Sequence, residues 1–473
     1  MGKASKQKKK VLAPTGEPYT PTKPLPSPPV SGDDSTEIDP VDLEITIETL
    51  TALAANPSIL KTPAHKATRQ LINKLHFALS GSTSSAVEED GGDKLINALR
   101  TRDHHRARAL LTLVKTPKLG SLQRWVRECD AANVASMENS ALSAAEHEQQ
   151  ANETWKTLEC IIRTTAPSSR FPPSPNPLVR FPPWEFVHKE PSEKIQAYAL
   201  AQSHSLCTPA QASHFRSHFR ILHTIPGPAR LPPNAHPALI WTSQPSTIPW
   251  DNALPVTAHP VPHIPQCTLL HNVLPATTCT SIIAAAETLG FTPDAPVSGS
   301  ATQLASILAH NFYWMADEHF NNTLFSRVAP HLPATLNGGA LRTLNRRYRC
   351  YRYVPGAVYR PHVDGAWPPS GIDEKTGAYI YDSSDGTQYS RFTFLIYLND
   401  EFEGGETTFF VPDAERSEGL EARPVRPLMG SVLVFPHGDT QGSLVHEGTG
   451  VLKGAKYIIR TDVVYEVQKG GRK

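Results

Sequence analysis

The stretch YRYVPGAVYRPHVDG, residues 351–365, decides how this chain is read. Aromatic, β-branched and polar residues alternate, a Pro355-Gly356 break intervenes, and the segment ends on His362-Val363-Asp364. That texture marks short strands around a turn. On a strand, residues i and i+2 share a face, so the His362 imidazole and the Asp364 carboxylate project the same way. Two such groups cover one edge of a metal ion. A distal histidine completes a two-histidine, one-carboxylate triad, the ligand set of non-haem Fe(II) oxygenases.

Two downstream histidines compete for that place. His437 lies in the turn His437-Gly438-Asp439, just after an apolar strand, whereas His446 sits in a late strand region followed by Gly448, Gly450 and Gly454. His446 is the preferred ligand. Lys456 follows it by ten residues (456 − 446) and shares one strand face with Ile458 and Arg460. A cofactor with a distal carboxylate needs a fixed cation at the pocket floor. Either Lys456 or Arg460 meets that need, the arginine as a bidentate fork and the lysine as a point charge.

Working outward, further strands are expected at 348–353, 358–363, 391–398, 406–411, 431–435 and 456–465, all short and bounded by Gly, Pro, Asp or Asn. Helices are expected at Ala276–Leu289, with Gly290 behind it, and at about Phe312–Val328. Helices followed by many short strands predict an α+β chain. Its C-terminal part is a double-stranded β-helix (jelly roll) with flanking helices, preceded by a small all-helical domain.

The expected domains are a basic, Pro-rich disordered tail over 1–38, a helical domain over 39–165, a Pro-rich linker or wrapping segment over 166–262, and a catalytic domain over 263–468. The tail holds the one dense basic run, Lys3 to Lys10. The helical domain opens on Asp39-Pro40, an N-cap and first-turn proline, and a second stripe runs through Ala67, Leu71, Leu75 and Ala78. It carries no catalytic constellation; a structural or partner-docking role is expected, and cosubstrate turnover is expected to proceed without it. The Pro-rich segment keeps Phe181, Trp184 and Phe186, aromatics that suit a segment wrapped on a folded domain, and one helix is expected near Glu193–His204.

The chain has 473 residues, 44 of them proline, and balances 46 basic against 45 acidic residues. A net charge of +1 lacks the basic footprint of a dedicated nucleic-acid binder. Six scattered cysteines without a CxxC pair fit reduced thiols and a cytoplasmic or nuclear setting. No apolar run reaches the length of a membrane span, so no membrane partner is expected.

Five blocks occur together: YRYVPGAVYRPHVDG, RFTFLIYLND, EGGETTFF, GSVLVFPHG and LVHEGTGVLKGAKYIIRTDVVY. In that order they resemble the prolyl 4-hydroxylase-like branch of the Fe(II)/2-oxoglutarate-dependent dioxygenase superfamily, over about residues 265–466. The resemblance implies His362, Asp364 and His446 as iron ligands. It implies Lys456 at the distal carboxylate of 2-oxoglutarate, Arg460 as a second candidate, and Tyr353 as a hydrogen-bond donor to the cosubstrate. Fe(II), 2-oxoglutarate and O2 are the implied cofactors, with ascorbate as a supporting reductant. The implied reaction decarboxylates 2-oxoglutarate to succinate and hydroxylates a C–H bond. A protein side chain is the expected substrate. Oxidative demethylation of a nucleic acid, or a binding module on an inactive oxygenase fold, are the alternatives. The insert between Asp364 and Arg391 departs from the shorter loops of many relatives. It is acidic (Asp373, Glu374, Asp382 and Asp385 against Lys375) and is expected to act as a lid or binding loop.

Overall fold

The structure is a computed structural model. It describes residues 40–55, 91–114, 119–137, 142–164, 178–186, 196–230, 233–251, 254–295, 309–355, 359–412 and 419–467, with a few isolated positions between them. The chain divides into two compact units, residues 1–86 and 87–473. In the first, Pro40–Ala55 is a helix, as its N-terminal signal predicts. The expected disordered tail over 1–38, and most of the helix expected around 67–78, lie outside the described residues.

The second unit is built on two facing sheets. The minor sheet runs in the order Leu178–Arg180, Leu420–Val425, Thr407–Pro412, His446–Gly448 and Tyr359–His362. The central path of the major sheet is Phe219–Ile225, Ala238–Ser243, His310–Met315, Arg347–Tyr353, Lys456–Glu466, Gln388–Tyr397, Val432–Pro436, Thr268–His271 and Thr257–Pro260. This is the jelly-roll arrangement of sheets and flanking helices that the alternation predicts. Between the sheets, Phe409, Phe435, Tyr397 and Leu433 form part of a fully buried core. On the outer face of the major sheet, Ala276–Leu289 packs through Cys279, Ile282 and Ile283 against Phe394, Ile396 and Ile459 in a second core. Each such buried aliphatic side chain contributes about 1.5–3 kcal/mol.

One expected helix begins too early. Phe312–Val328 divides into a strand, His310–Met315, and a helix, Glu318–Val328. Residues 312–315 are buried on both faces of the sheet, so they read as a continuous apolar run rather than a helical stripe. Asp317 then caps the helix, its carboxylate accepting from Phe320 N at 3.0 Å. Near Glu193–His204 the helix is Ala197–Gln202.

The expected separation at residue 165 is corrected by the packing. Helices Gly91–Arg100, His104–Leu111, Leu119–Met137 and Ala144–Arg163 share one core with the minor sheet, in which Leu95, Leu99, Trp125, Val126 and Ile161 meet Val363, Phe410, Leu420 and Val445. A buried pair fastens this layer. Arg163 and Glu159 lie 2.8 Å apart, Gly419 N–H donates to Glu159 at 2.9 Å, and Arg163 donates to the Gly419 carbonyl at 3.2 Å. The helical stripes were legible, but the surface that covers them lies 200 residues or more downstream. In the described part of the Pro-rich segment, Leu178–Arg180 pairs in parallel with Leu420–Ala422, and Trp184 and Phe186 pack against the barrel core.

Candidate active site

The metal-site candidates come from adjacent minor-sheet strands. His362 and His446 are direct partners across the antiparallel pair formed by Tyr359–His362 and His446–Gly448. Asp364 follows two residues later on the same face. One ligand atom from each of the three lies within 4.8 Å of the others, and no other such group of three occurs among the described residues. His362 Nε2 stands 3.5 Å from Asp364 Oδ1, and His446 Nε2 stands 3.6 Å from Asp364 Oδ2. The opposite ring nitrogens are occupied: His362 Nδ1 contacts the Arg360 carbonyl at 2.7 Å, and His446 Nδ1 contacts the Leu444 carbonyl at 3.2 Å. A carbonyl accepts only from N–H, so both rings present a bare Nε2 to the shared centre, the arrangement of metal-bound histidines. Burial, then the neighbouring His446, holds the His362 imidazolium down to about 4. The donor set therefore fits a divalent iron ion.

Asp364 is the most constrained of the three. Burial pushes its carboxyl up, but Arg460 and the two imidazoles outweigh this and hold it well below the usual carboxylate range. Arg460 Nε lies 3.3 Å from Asp364 Oδ2, an ion contact rather than an aligned hydrogen bond, and the Thr393 hydroxyl donates to the same oxygen at 2.6 Å.

His437, the competing histidine, is fully buried behind this ligand set. Its Nδ1 lies 2.9 Å from Thr393 Oγ1 and its Nε2 2.9 Å from Ser390 Oγ. Thr393 spends its proton on Asp364, and Ser390 Oγ already accepts from Trp367 N–H at 2.8 Å. The consistent assignment is Ser390 donating to His437 Nε2, His437 Nδ1–H donating to Thr393, and Thr393 donating to Asp364. Burial, then Arg460, pushes His437 down to about 3, so the ring is neutral as this chain requires. Residue types alone do not reveal this brace, because Thr393 and Ser390 read as ordinary strand positions.

Lys456 faces the same pocket from the major sheet. It is 3 % exposed, its Nζ donates to the Gly405 carbonyl at 2.6 Å, and the rings of Tyr353 and Tyr397 lie 5.8 and 5.7 Å away. No carboxylate among the described residues lies within ion-pair distance of it. Burial pushes its ammonium down to about 7, with Glu406 opposing weakly. Tyr353 is its direct partner across the strand pair, and Tyr397 hydrogen-bonds Thr407 at 2.8 Å. Gly405, like Gly404, has positive φ, which aims its carbonyl at the lysine in a conformation open to glycine. Arg460, two pleat repeats further along, is committed to Asp364, Asp462 at 3.2 Å and the Gly365 carbonyl at 3.1 Å. The pocket is walled by these groups with Tyr351, Tyr359, Leu395, Phe435 and Ile458. Glu447 also reaches it, and burial pushes that carboxyl up to about 7.

The insert folds back rather than standing free. Gly371–Ile372 and Tyr379–Ile380 form a short hairpin, and Ile372 and Tyr379 pack against Ala238, Ile240, Tyr313 and Met315 of the major sheet. Among the described residues, no helix is long and apolar enough to cross a membrane.

Residues 348–461 match the family model described as the 2OG-Fe(II) oxygenase superfamily. No curated protein matches the chain. Among solved structures, the chain is similar to the viral collagen prolyl hydroxylase of Paramecium Bursaria Chlorella virus-1 in its 2OG complex, at 17% identity over 43% of this chain and 97% of that one, with a TM-score of 0.28. The truncated form of that enzyme matches at 16% identity over 45% and 97%, with a TM-score of 0.27. A 2OG-Fe(II) oxygenase family oxidoreductase from Burkholderia pseudomallei matches at 13% identity over 45% and 72%, with a TM-score of 0.17. Residues 348–461 are thus similar to a 2OG-Fe(II) oxygenase domain.

Proposed function

We propose that this protein is an Fe(II)- and 2-oxoglutarate-dependent dioxygenase that hydroxylates a C–H bond of a protein side chain, in the manner of prolyl hydroxylases. The observation that carries this is one pocket holding both the His362, Asp364 and His446 cluster and a buried lysine, Lys456, that has no carboxylate partner among the described residues. His362, Asp364 and His446 would hold the iron, which supplies oxygen activation coupled to decarboxylation of 2-oxoglutarate.

The chain's own residues supply the rest. Lys456 takes the distal carboxylate, whose charge restores the ammonium that burial depresses. Tyr353 and Thr407 flank that end and orient the cosubstrate by hydrogen bonding. Thr393, braced by His437, keeps the Asp364 carboxylate ionised and fixed in rotation. Leu395, Phe435 and Ile458 keep water from the reacting carbon. Ascorbate enters only as an external reductant, and the helical layer over 91–163 supports the site as well as any partner.

The test is mass spectrometry of a cell lysate treated with purified protein, with and without 2-oxoglutarate. The expected result is oxygen addition to side chains of particular peptides only when 2-oxoglutarate and iron are present. Oxygen addition to nucleobases or their methyl groups, with none to peptides, would overturn it.

A further inference from the structure

We infer that Arg347, Arg349 and Tyr313 form an anion site at the mouth of the pocket, built to take one carboxylate of a polypeptide substrate. The inference rests on the hydroxylase reading above and adds the chemistry that selects the substrate.

The strand Arg347–Tyr353 places Arg347, Arg349, Tyr351 and Tyr353 on one face. Tyr351 and Tyr353 line the pocket, and Tyr353 is the partner of Lys456. Arg349 lies four residues back, about 13 Å at 3.3 Å per residue, and is paired with Arg460 on one side and Tyr313 on the other. The face therefore runs from the lysine end, past Arg460 and Asp364, to an arginine end. The Arg347 and Arg349 guanidinium carbons stand 5.4 and 5.3 Å from the Tyr313 ring centroid, and Arg349 donates to the Tyr313 hydroxyl at 3.2 Å. The aromatic ring fixes the two forks without neutralising them.

What sets these two apart is the lack of a counter-charge. Among the described residues, five arginines have a buried Nε without a hydrogen-bond partner: Arg347, Arg349, Arg352, Arg360 and Arg460. Arg352 is paired with Glu287, Arg360 with Asp130, and Arg460 with Asp364 and Asp462. Among the described residues Arg347 and Arg349 have no carboxylate within 4.0 Å. The nearby acids are spent elsewhere: Asp294 on Arg230 at 2.8 Å and Asn234 at 2.6 Å, Asp462 on Arg460. Residues 295–309, which join Asp294 to the Tyr313 strand, include no Asp or Glu. Both side chains keep partial exposure although their Nε atoms are buried.

A carboxylate is the anion that fits two planar forks held side by side, through charge-assisted paired hydrogen bonds. A nucleic-acid backbone needs a track of cations. Here the hairpin of the acidic insert packs beside Tyr313 through Ile372 and Tyr379, and an insert carrying Asp373, Glu374, Asp382 and Asp385 disfavours a polyanion.

The test uses the full chain loaded with Fe(II) and 2-oxoglutarate without oxygen. Fluorescent proline-containing peptides carry one Glu at each position from two before to two after the proline, each with its Gln counterpart. Fluorescence anisotropy gives the affinities. At least one Glu peptide is expected to bind about tenfold tighter than its Gln counterpart, ~1.4 kcal/mol. That preference is expected to vanish in Arg349→Gln and shrink in Arg347→Gln, and to survive in part in Arg349→Lys, which keeps charge but loses the fork. Equal affinities across every Glu/Gln pair, a preference that survives both Gln variants, or displacement of the Glu peptide by a short oligonucleotide at lower concentration than by the peptide itself would overturn the site. Aerobic turnover separates the two claims. Oxygen added to peptides with no charge preference sinks the anion site alone; charge-selective binding with no oxygen added to any peptide upholds the site and counts against the hydroxylase reading.

Discussion

Gln123, on the helix Leu119–Met137, donates its side-chain amide to the carbonyl of Val363 at 2.8 Å. Val363 stands between two candidate metal ligands, so a helix far upstream holds the backbone that aims His362 and Asp364. Losing one such bond costs about 1 kcal/mol. Gln123→Ala is therefore expected to weaken Fe(II) binding about fivefold, as read by anaerobic titration. Unchanged affinity would show that the strand needs no support from the helix.

The same packing changes what a truncated protein is expected to do. A chain of residues 260–473 exposes Val363, Phe410, Leu420 and Val445, which the helical layer buries. It also loses Arg163 and Glu159 from Gly419. Such a fragment is expected to unfold without a cooperative transition and to bind iron weakly. A sharp thermal transition with wild-type iron affinity would restore the sequence-based expectation that the helices are dispensable.

Lys456→Ala is expected to weaken 2-oxoglutarate binding by two to four orders of magnitude while leaving iron binding intact. Removing one partner of a buried charge pair costs about 3–5 kcal/mol. Arg460→Ala is expected to do the reverse, lowering iron affinity more than cosubstrate affinity, because it strips Asp364 of its guanidinium. Calorimetric titration of both ligands into both variants reads the split. Loss of 2-oxoglutarate in Arg460→Ala alone would exchange the two roles.

The depressed lysine also sets a pH dependence. Free Lys456 is charged below about 7, so 2-oxoglutarate affinity should fall roughly tenfold per pH unit above that value. Stability of the unliganded protein should move the opposite way. Between about 7 and the ordinary lysine range the unfolded chain binds the extra proton, so stability rises with pH there. Lys456→Met should flatten both trends. A flat binding profile in the wild-type protein between pH 6.5 and 8.5, chosen to bracket the roughly neutral titration, would contradict this account of the lysine.

Much of the site was legible because it is local. His362 and Asp364 announce a shared face by their spacing, and Lys456 and Arg460 do the same on theirs. In sequence the two candidates for the distal histidine differ only by strand texture; in the structure His446 lies beside His362 and Asp364, whereas the His437 turn follows Pro436 and buries its ring against Thr393 and Ser390. What stayed hidden was long-range. Nothing in Arg460 foretells Asp364 as its partner, nothing in Gln123 foretells Val363, and Phe312–Met315 looked helical because burial on both faces erases the two-residue alternation.

His437→Ala separates brace from ligand. It is expected to destabilise the protein by about 1–3 kcal/mol by leaving Thr393 and Ser390 short of a partner, yet to retain one iron per chain. His446→Ala is expected to lose the iron with little change in stability. Denaturant unfolding and metal analysis of the two variants read the difference, and loss of iron in His437→Ala with retention in His446→Ala would reassign the site.

The central claim is that His362, Asp364 and His446 hold iron for 2-oxoglutarate turnover. The direct measurement is succinate formation by the full chain with Fe(II), 2-oxoglutarate and O2, alongside Asp364→Ala under identical conditions. The account predicts iron-dependent succinate in the wild-type protein and none above the protein-free background in Asp364→Ala. Succinate formed at the wild-type rate by Asp364→Ala, or no iron bound by the wild-type protein, would contradict it.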